Sequence, residues 1–357
     1  MSKDPASLVR DEIRRLRAYH VSPAEGLVKL DAMENPHRLP VSLAAELGER
    51  LAGVAINRYP DPNAPALKRA LREAMRIPAG QELILGNGSD EILQIIAMAL
   101  AKPGAAALAP EPSFAMYRMS AIAAGLRYIG VPLRADFSLD KRVLFEAIAA
   151  YRPALVWIAY PNNPSGNLFD RDTILRVIDA SPGLVVVDEA YYAFSGGATL
   201  MDELGRHPNL VLVRTVSKLG LAGLRLGCAI GPREWLDEFE KLRLPYNVNA
   251  LSAAAGELLL GHHDVLDEQT RQIVADRAAL EAALDGIARI ERFPSAANFI
   301  LVRVPDGPAT FEALRQSGIL VRTFHGSHAL LANCLRLTVG TPEENLRLVD
   351  ALRSILS

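Results

Sequence analysis

A lysine, a carboxylate and an amide each follow a short apolar run in this chain, and together these residue types can do chemistry. Lys218 stands in Thr215-Val216-Ser217-Lys218, shortly before Gly223-Leu224-Arg225. Asp188 follows residues 184–187, and Asn163 lies in Asn162-Asn163-Pro164-Ser165-Gly166. A lysine amine forms a Schiff base with an aldehyde, and a buried carboxylate keeps a pyridine nitrogen protonated. With a hydroxyl and a guanidinium to hold a phosphate, these groups predict a site for pyridoxal phosphate (PLP).

The elements that must position these groups are short apolar runs alternating with helical patterns. The runs that read as buried strands are 83–85, 105–108, 154–159, 184–187, 210–213 and 226–230. Helical spacing appears at residues 92–100, 144–151 and 174–180. Alternation of this kind predicts a largely parallel sheet covered by helices on both faces.

Ligands of such sheets bind beyond the carboxyl ends of the strands, and the candidate residues fall there. Gly88-Ser89, in a glycine turn that opens a helix, also has this position. Glycine lets backbone amides approach an anion, and a helix N-terminus attracts it. Taken singly, these features are ordinary, since a turn, a capping aspartate and a solvated lysine are common. Their joint placement at successive strand ends favours one site.

The pattern changes after about residue 251. A long helical stretch at 265–284 precedes apolar strands near 298–302, 319–321 and 335–339, and Thr341-Pro342-Glu343-Glu344 is a capping box with proline at the first helical position. These features predict a smaller α+β domain. We expect an N-terminal arm (1–40) that contributes to this small domain, a large domain (41–250) and the small C-terminal domain (251–357).

Composition restricts the class of protein. The chain has 357 residues, of which 50% are hydrophobic and 22% charged, with a formal net charge of −2. This balance gives no reason to expect nucleic acid or membrane partners. No apolar run approaches a membrane span, the N-terminus lacks a signal-peptide core, and the cysteines and histidines lack metal-ligand spacing. We expect a cytoplasmic protein without a metal site.

Several motifs together resemble the histidinol-phosphate aminotransferase family, a member of the fold-type I, class II PLP aminotransferases. The motifs are Leu30-Asp31-Ala32-Met33-Glu34-Asn35-Pro36, Arg58-Tyr59-Pro60-Asp61-Pro62 and residues 86–91, 162–166, 188–191, 217–225 and 335–340. They occur in the family's order from about residue 18 to the C-terminus. The resemblance implies an α/β fold with a mostly parallel central sheet in the large domain.

The resemblance also implies roles for the residues that would act on the cofactor ring. Lys218 matches the Schiff-base lysine, which also carries the proton during transamination. Asp188 matches the partner of the pyridinium nitrogen. Asn163 and Tyr191 match the residues that hydrogen-bond the phenolate oxygen. Phe114 matches the residue that stacks on the ring, where many relatives carry tyrosine.

The cofactor phosphate is implied to lie among a second group of residues. The Gly88 and Ser89 amides, Ser217 and Arg225 match the family's phosphate grip, although the spacing from Lys218 to Arg225 is one residue shorter than in many class members. Tyr59 matches a residue that reaches the cofactor phosphate of a neighbouring subunit. The resemblance therefore implies a homodimer.

Substrate recognition is expected to rest on arginine, which binds carboxylate or phosphate bidentately. Arg336 matches the arginine that takes the α-carboxylate of glutamate and faces the phosphate end of histidinol phosphate. Arg322 would assist with a second anion, and Tyr19 would contact the substrate. Surface or interdomain salt bridges are the alternative for the two arginines, and ordinary packing is the alternative for Tyr19.

The implied reaction is transamination between L-histidinol phosphate and 2-oxoglutarate, which gives imidazole acetol phosphate and glutamate in histidine biosynthesis. An aromatic amino-acid aminotransferase and a phosphothreonine decarboxylase share much of the pattern and stay open. A non-catalytic PLP-sensing regulator is a further alternative. Such regulators usually carry a DNA-binding module, for which the roughly 17 residues before the matched region are too few.

Overall fold

The computed structural model of the chain describes residues 4–18 and 21–357, so Tyr19 lies outside the described residues. Its strands are β1 (Val28–Lys29), β2 (Glu82–Asn87), β3 (Ala106–Glu111), β4 (Arg127–Pro132), β5 (Leu155–Ala159), β6 (Leu184–Asp188), β7 (Leu210–Thr215), β8 (Leu226–Gly231), β9 (Glu291–Arg292), β10 (Phe299–Arg303), β11 (Ile319–Leu320), β12 (Arg322–Thr323) and β13 (Cys334–Thr338).

The helices are α1 (Pro5–Leu8), α2 (Asp11–Arg14), α3 (Val41–Ala52), α4 (Pro65–Ala74), α5 (Ser89–Ala99), α6 (Ala115–Ala124), α7 (Lys141–Tyr151), α8 (Arg171–Ala180), α9 (Arg233–Glu240), α10 (Ala250–Gly261), α11 (His263–Asp285), α12 (Gly307–Gln316) and α13 (Pro342–Leu356). Short 3₁₀ turns follow β6 and β7, at Tyr192–Phe194 and Ser217–Leu219. Within the described ranges, no helix is long and apolar enough to cross a membrane.

A seven-stranded sheet with the order β2-β8-β7-β6-β5-β3-β4 forms the centre of the molecule. The strands from β7 to β4 pair in parallel, whereas β8 is antiparallel to both β7 and β2. The mostly parallel α/β sheet expected from the sequence is therefore confirmed. Because β8 reverses direction between them, β2 and β7 run the same way.

This topology brings one end of many strands to a single edge of the sheet. The carboxyl ends of β2, β5, β6 and β7 lie at that edge, and β8 begins there. The pairs Asn87↔Leu226 and Thr215↔Gly227 fix the start of β8 between its two neighbours. Arg225, the residue before β8, is held at the same edge as the residues that follow the parallel strands.

The six apolar runs expected to be buried strands all correspond to strands of the central sheet, although β3 and β5 each begin one residue later than the predicted run. The three expected helices are also present, and each begins earlier than the apolar spacing indicated. In α7, for example, the Asp140 side chain caps the first turn by accepting from the Val143 amide at 3.2 Å. The sequence did not reveal β4, because this edge strand buries only Val131 among its six residues.

A second, antiparallel sheet has the order β12-β13-β10-β9, and a parallel pair joins β1 to β11. The predicted capping box at the start of α13 is confirmed: the Glu344 amide donates to Thr341 Oγ1 at 3.2 Å, and the Thr341 amide donates to Glu344 Oε2 at 2.9 Å. Side chains of β10, β13 and α13 form one core cluster, which also includes Leu30 and Met33.

Two further core clusters cover the two faces of the central sheet. The long helix α11 connects these regions, since Leu266 packs in a cluster of the central sheet and Ile273 packs in the cluster of the second sheet. Helix α10 packs against α3 and α4 beside the central sheet. The edge that carries the candidate residues therefore faces the second sheet and the segment around Leu30.

Candidate active site

A cavity opens at the carboxyl edge of the central sheet. Eight of the residues singled out in the sequence line it: Ser89, Phe114, Asn163, Asp188, Tyr191, Ser217, Lys218 and Arg225. They come from five different strand ends and loops, so the cavity exists only in the folded chain. The structure also places Met33, Asp90, Tyr117 and Thr215 in its wall.

Lys218 occupies the 3₁₀ turn that follows β7, and its amine points into the cavity. Lys218 Nζ donates to the Ala32 carbonyl at 3.1 Å and lies 5.9 Å from the centroid of the Tyr191 ring. Burial, with a smaller contribution from the positive charge of Arg336, lowers the pKa of Lys218 to about 8. A larger fraction of this amine is therefore neutral near pH 7 than of an ordinary lysine, and only the neutral form is a nucleophile.

Asp188 is the last residue of β6 and is buried. The Tyr117 hydroxyl donates to Asp188 Oδ2 at 2.8 Å, and the Ala190 amide donates to Oδ1 at 3.1 Å. Burial raises the pKa of Asp188 to about 6, while these two hydrogen bonds act in the opposite direction. The carboxylate is thus held in one orientation at the floor of the cavity.

Tyr117 was not predicted from the sequence, because a tyrosine at helical spacing is ordinarily a core residue. It does pack in the core, stacked on Trp157 with ring centroids 5.5 Å apart. The signal that was available is its position on α6, three residues after Phe114. That spacing puts both rings on the helix face toward the cavity, and they meet edge to face at 5.7 Å.

Asn163, Tyr191 and Arg336 form a continuous hydrogen-bonded chain beside the lysine. Asn163 Nδ2 donates to the Tyr191 hydroxyl at 3.1 Å, and Arg336 Nη1 donates to Asn163 Oδ1 at 2.7 Å. Arg336 Nη2 donates to the Asp31 carbonyl at 2.7 Å. Arg336 is only 4% exposed, so it is not a surface residue. Its guanidinium carbon lies 5.3 Å from the centroid of the Phe299 ring and 5.3 Å from that of the Phe324 ring.

The wall near the start of α5 has the character of an anion site. Gly88 has a φ of +87°, and a Cβ atom built there would lie 2.6 Å from Arg225 Nη2. The Arg225 guanidinium therefore lies directly over the turn that leads into the helix N-terminus. The Ser217 amide donates to Thr215 Oγ1 at 3.1 Å, which orients the turn carrying the Ser217 hydroxyl. A helix N-terminus, a hydroxyl and a guanidinium together suit a phosphate group.

An acidic residue completes this wall. Asp90 Oδ2 lies 3.8 Å from Arg225 Nη2, and burial raises the pKa of Asp90. The contact keeps the guanidinium on the cavity side of the turn. Arg225 thus reaches the cavity despite its short spacing from Lys218.

Gly88 and Arg336 adjoin residues that line the cavity, whereas Tyr59 and Arg322 are not among the lining residues. Tyr59 is 81% exposed and stacks on Tyr246, with ring centroids 4.5 Å apart. Arg322 lies on β12, where it pairs with Arg336 of β13 in the sheet register. Tyr19 lies outside the described residues.

The residues of the cavity fit PLP. One cavity contains a lysine amine with a lowered pKa, a buried carboxylate and an anion site at a helix N-terminus. These groups suit, in the same order, the aldehyde, the ring nitrogen and the phosphate of PLP. The fold and the cavity together define a fold-type I PLP-dependent aminotransferase.

The comparisons with known proteins agree with this class. Residues 25–352 match the model of the family "Aminotransferase class I and II". A histidinol-phosphate aminotransferase of Chromobacterium violaceum is 53% identical over 97% of each chain, and one of Burkholderia lata is 51% identical over 99% of each. The chain belongs to the histidinol-phosphate aminotransferase family.

Solved structures show the same fold at lower sequence identity. The histidinol-phosphate aminotransferase from Sinorhizobium meliloti, in complex with pyridoxal-5'-phosphate, superposes with a TM-score of 0.87 over 98% of each chain at 24% identity. The fold-type I architecture expected from the sequence is confirmed.

Proposed function

We propose that this protein catalyses transamination between L-histidinol phosphate and 2-oxoglutarate, giving imidazole acetol phosphate and glutamate in histidine biosynthesis. The observation that carries the proposal is the near full-length similarity, at about half identical residues, to proteins named histidinol-phosphate aminotransferase. The cavity also contains Lys218, Asp188 and Arg225, which are the residue types that PLP-dependent transamination uses.

PLP, when bound, supplies an electron sink that stabilises negative charge at the carbon from which a proton is removed. In our proposal Lys218 Nζ would hold the cofactor through its aldehyde carbon, with the aldehyde oxygen leaving as water, and would later accept and return that proton. A pKa of about 8 suits this exchange, because the amine can both take up and release a proton near neutral pH. Lys218 Nζ is held by the Ala32 carbonyl within the cavity, which orients it for both tasks.

The other cavity residues bind and orient the cofactor. The Asp188 carboxylate would accept a hydrogen bond from the pyridine nitrogen, and Phe114 would stack on the ring. Asn163 Nδ2 and the Tyr191 hydroxyl, which are 3.1 Å apart, would both bond the ring oxygen. The Gly88 and Ser89 amides, Ser217 and Arg225 would hold the phosphate. These assignments are proposals supported by the positions of the side chains.

Arg336 would bind the substrate anion, and Arg322 and Tyr19 would assist. The Arg336 guanidinium contacts two aromatic rings and is buried, so little conformational freedom is lost when it binds a carboxylate or phosphate. The same guanidinium donates to Asn163 and to the Asp31 carbonyl. Substrate binding must therefore share or replace these hydrogen bonds.

We further propose that the protein is a homodimer in which Tyr59 reaches the cofactor phosphate of the second subunit. The residue is exposed and does not line the cavity of its own chain. Other large apolar side chains are also exposed close to Tyr59 or Tyr246 in the sequence: Ile56, Leu242 and Leu244. Exposed apolar groups of this size mark an association surface.

The division into an N-terminal arm (1–40), a large domain (41–250) and a small domain (251–357) is also a proposal. The separate core cluster around β10, β13 and α13, which takes in Leu30 and Met33, supports it. The proposed boundary falls at the start of α10, whose side chains pack beside the central sheet. We also propose a cytoplasmic location, which agrees with the free, buried Cys228 and Cys334.

The reaction is tested on the purified protein by recording the cofactor absorbance, then adding glutamate or L-histidinol phosphate separately. We expect both compounds to convert the bound cofactor to its amine form, and we expect Lys218→Ala to abolish the conversion and the turnover. Conversion by glutamate and aromatic amino acids but not by histidinol phosphate would contradict the substrate. Release of CO₂ from phosphothreonine would indicate a decarboxylase instead.

A further inference from the structure

Each oxygen of the Asp188 carboxylate has a defined donor, and the two donors differ in kind. The Ala190 amide, which donates to Oδ1, belongs to the turn that directly follows Asp188. The Tyr117 hydroxyl, which donates to Oδ2, comes from helix α6, 71 positions away in the chain. Only the second bond can be removed by a side-chain substitution.

The Tyr117 hydroxyl has little freedom to move. The residue is fully buried, and its ring is stacked on Trp157 with an interplanar angle of 13°. The Tyr117 ring also makes an edge-to-face contact with the ring of Phe114. Burial and the neighbouring carboxylate raise the pKa of Tyr117 well above its usual value, so the hydroxyl keeps its proton and stays a donor.

We propose that Tyr117 is a positioning residue for transamination: its hydroxyl holds Asp188 as an oriented carboxylate, so that the proton shared with the cofactor stays on the pyridine nitrogen. This inference rests on the proposed function, because it concerns how that cofactor is kept in its electron-sink form. It gives Tyr117 a role that is exerted through Asp188 and not through direct contact with the cofactor nitrogen.

The electrostatic surroundings of Asp188 explain why such a donor is needed. Burial raises its pKa most, and the carboxylates of Asp90 on α5 and of Glu189 raise it further. The Tyr117 hydroxyl and the Ala190 amide lower it. A proton between Asp188 and a pyridine nitrogen can reside on either group. Donors to the carboxylate favour the arrangement in which the nitrogen is protonated.

Tyr117→Phe tests the proposal, since it removes the hydroxyl and keeps the ring stack. Tyr128→Phe is the matched control, because the Tyr128 hydroxyl bonds the Glu111 carboxylate outside the cavity. The first readout is the ¹⁵N chemical shift of bound PLP labelled at the ring nitrogen. We expect Tyr117→Phe to move this shift toward that of unprotonated pyridine, and Tyr128→Phe to leave it at the wild-type value.

The second readout is the dissociation constant of the cofactor, measured for PLP and for an analogue with carbon in place of the ring nitrogen. We expect Tyr117→Phe to weaken PLP about tenfold and the analogue less than about twofold, because Tyr117 acts through the bond between Asp188 and the protonated ring nitrogen, which the analogue cannot form. Equal weakening of both ligands, or an unchanged ¹⁵N shift, would overturn the proposal and leave Tyr117 a packing residue.

If Tyr117→Phe does not fold, a second variant tests the proposal. Site-specific 3-fluorotyrosine at position 117 makes the hydroxyl a stronger donor with almost no change in shape. In the cofactor-free protein we expect it to lower the pKa of Asp188 below about 6, read from the ¹³C shift of its carboxyl group. No change in that pKa would count against the proposal. The proposed function is checked separately, by turnover of histidinol phosphate in the wild-type protein.

Discussion

Arg336 donates from Nη1 to Oδ1 of Asn163 at 2.7 Å, and Asn163 in turn donates to the hydroxyl of Tyr191. The arginine proposed for the substrate anion and the amide proposed for the cofactor ring therefore belong to one hydrogen-bonded unit. A change in the guanidinium is transmitted to the ring side of the cavity through a single side chain.

Arg336→Lys tests this unit. Lysine keeps the charge but cannot bridge Asn163, the Asp31 carbonyl and a bidentate substrate anion at once. We expect kcat/KM for histidinol phosphate to fall at least about a hundredfold, which is roughly 3 kcal/mol, mainly through KM. Arg303→Lys, on the neighbouring strand β10, is the control and should change kcat/KM less than about threefold. Similar losses in both variants would mean that Arg336 acts only through the fold.

Gly88→Ala is expected to weaken PLP binding more than tenfold. The new Cβ atom would lie 2.6 Å from Arg225 Nη2, and it would push the guanidinium away from the helix N-terminus. Gly80→Ala is a close control: Gly80 has a similar positive φ of +85°, but its Cβ atom would meet nothing within 4 Å. Equal cofactor affinities of the two variants, from absorbance titrations, would show that Arg225 does not hold the phosphate.

Glu189, which follows Asp188, and Arg214, which precedes Thr215, form a buried ion pair. Arg214 Nη2 lies 2.7 Å from Glu189 Oε2, and both side chains are almost fully buried. We expect Glu189→Gln to reduce the free energy of unfolding by about 3 kcal/mol, because it leaves a buried guanidinium without a counter-charge. The control Glu146→Gln breaks an exposed pair with Arg142 and should cost under about 0.5 kcal/mol. Urea unfolding measures both values.

The amine of Lys218 should titrate near neutral pH. With a pKa of about 8, roughly one-tenth of it is neutral at pH 7, and the neutral fraction rises through pH 8. We expect the rate at which PLP attaches to cofactor-free protein to rise with pH and reach half its maximum near pH 8. A rate that keeps rising beyond pH 10 would show an amine with the pKa of an ordinary lysine.

If the protein forms the proposed homodimer, Leu244→Asp is expected to convert it to a monomer, because it places a charge among the exposed apolar side chains near Tyr246. Leu346→Asp changes an exposed leucine of α13 and should leave the dimer intact. Sedimentation velocity at micromolar concentration distinguishes the two outcomes. A monomeric wild-type protein would contradict the proposed homodimer and the role of Tyr59.

The sequence predicted the residues that end strands, because apolar runs and the polar groups after them are local features. Lys218 and Asp188 were found in this way, and each lies at the cavity. The partners of these residues were not foreseen. Tyr117 meets Asp188 across 71 positions, and the Ala32 carbonyl meets Lys218 across 186. Contacts of this kind depend on the packing of whole elements, and one sequence carries no pairing signal for them.

The antiparallel strand β8 determines which parts of this enzyme can vary in length. Because β8 is held by register to both β2 and β7, the position of Arg225 is set by the sheet and not by the loop that leads from Lys218. Residues can be lost from that loop during evolution without moving the guanidinium, as the shortened spacing here illustrates. The turn at Gly88 has no such freedom, since it is bounded on one side by a strand and on the other by a helix. Insertions in the family should therefore collect between the lysine and the arginine and avoid the glycine turn.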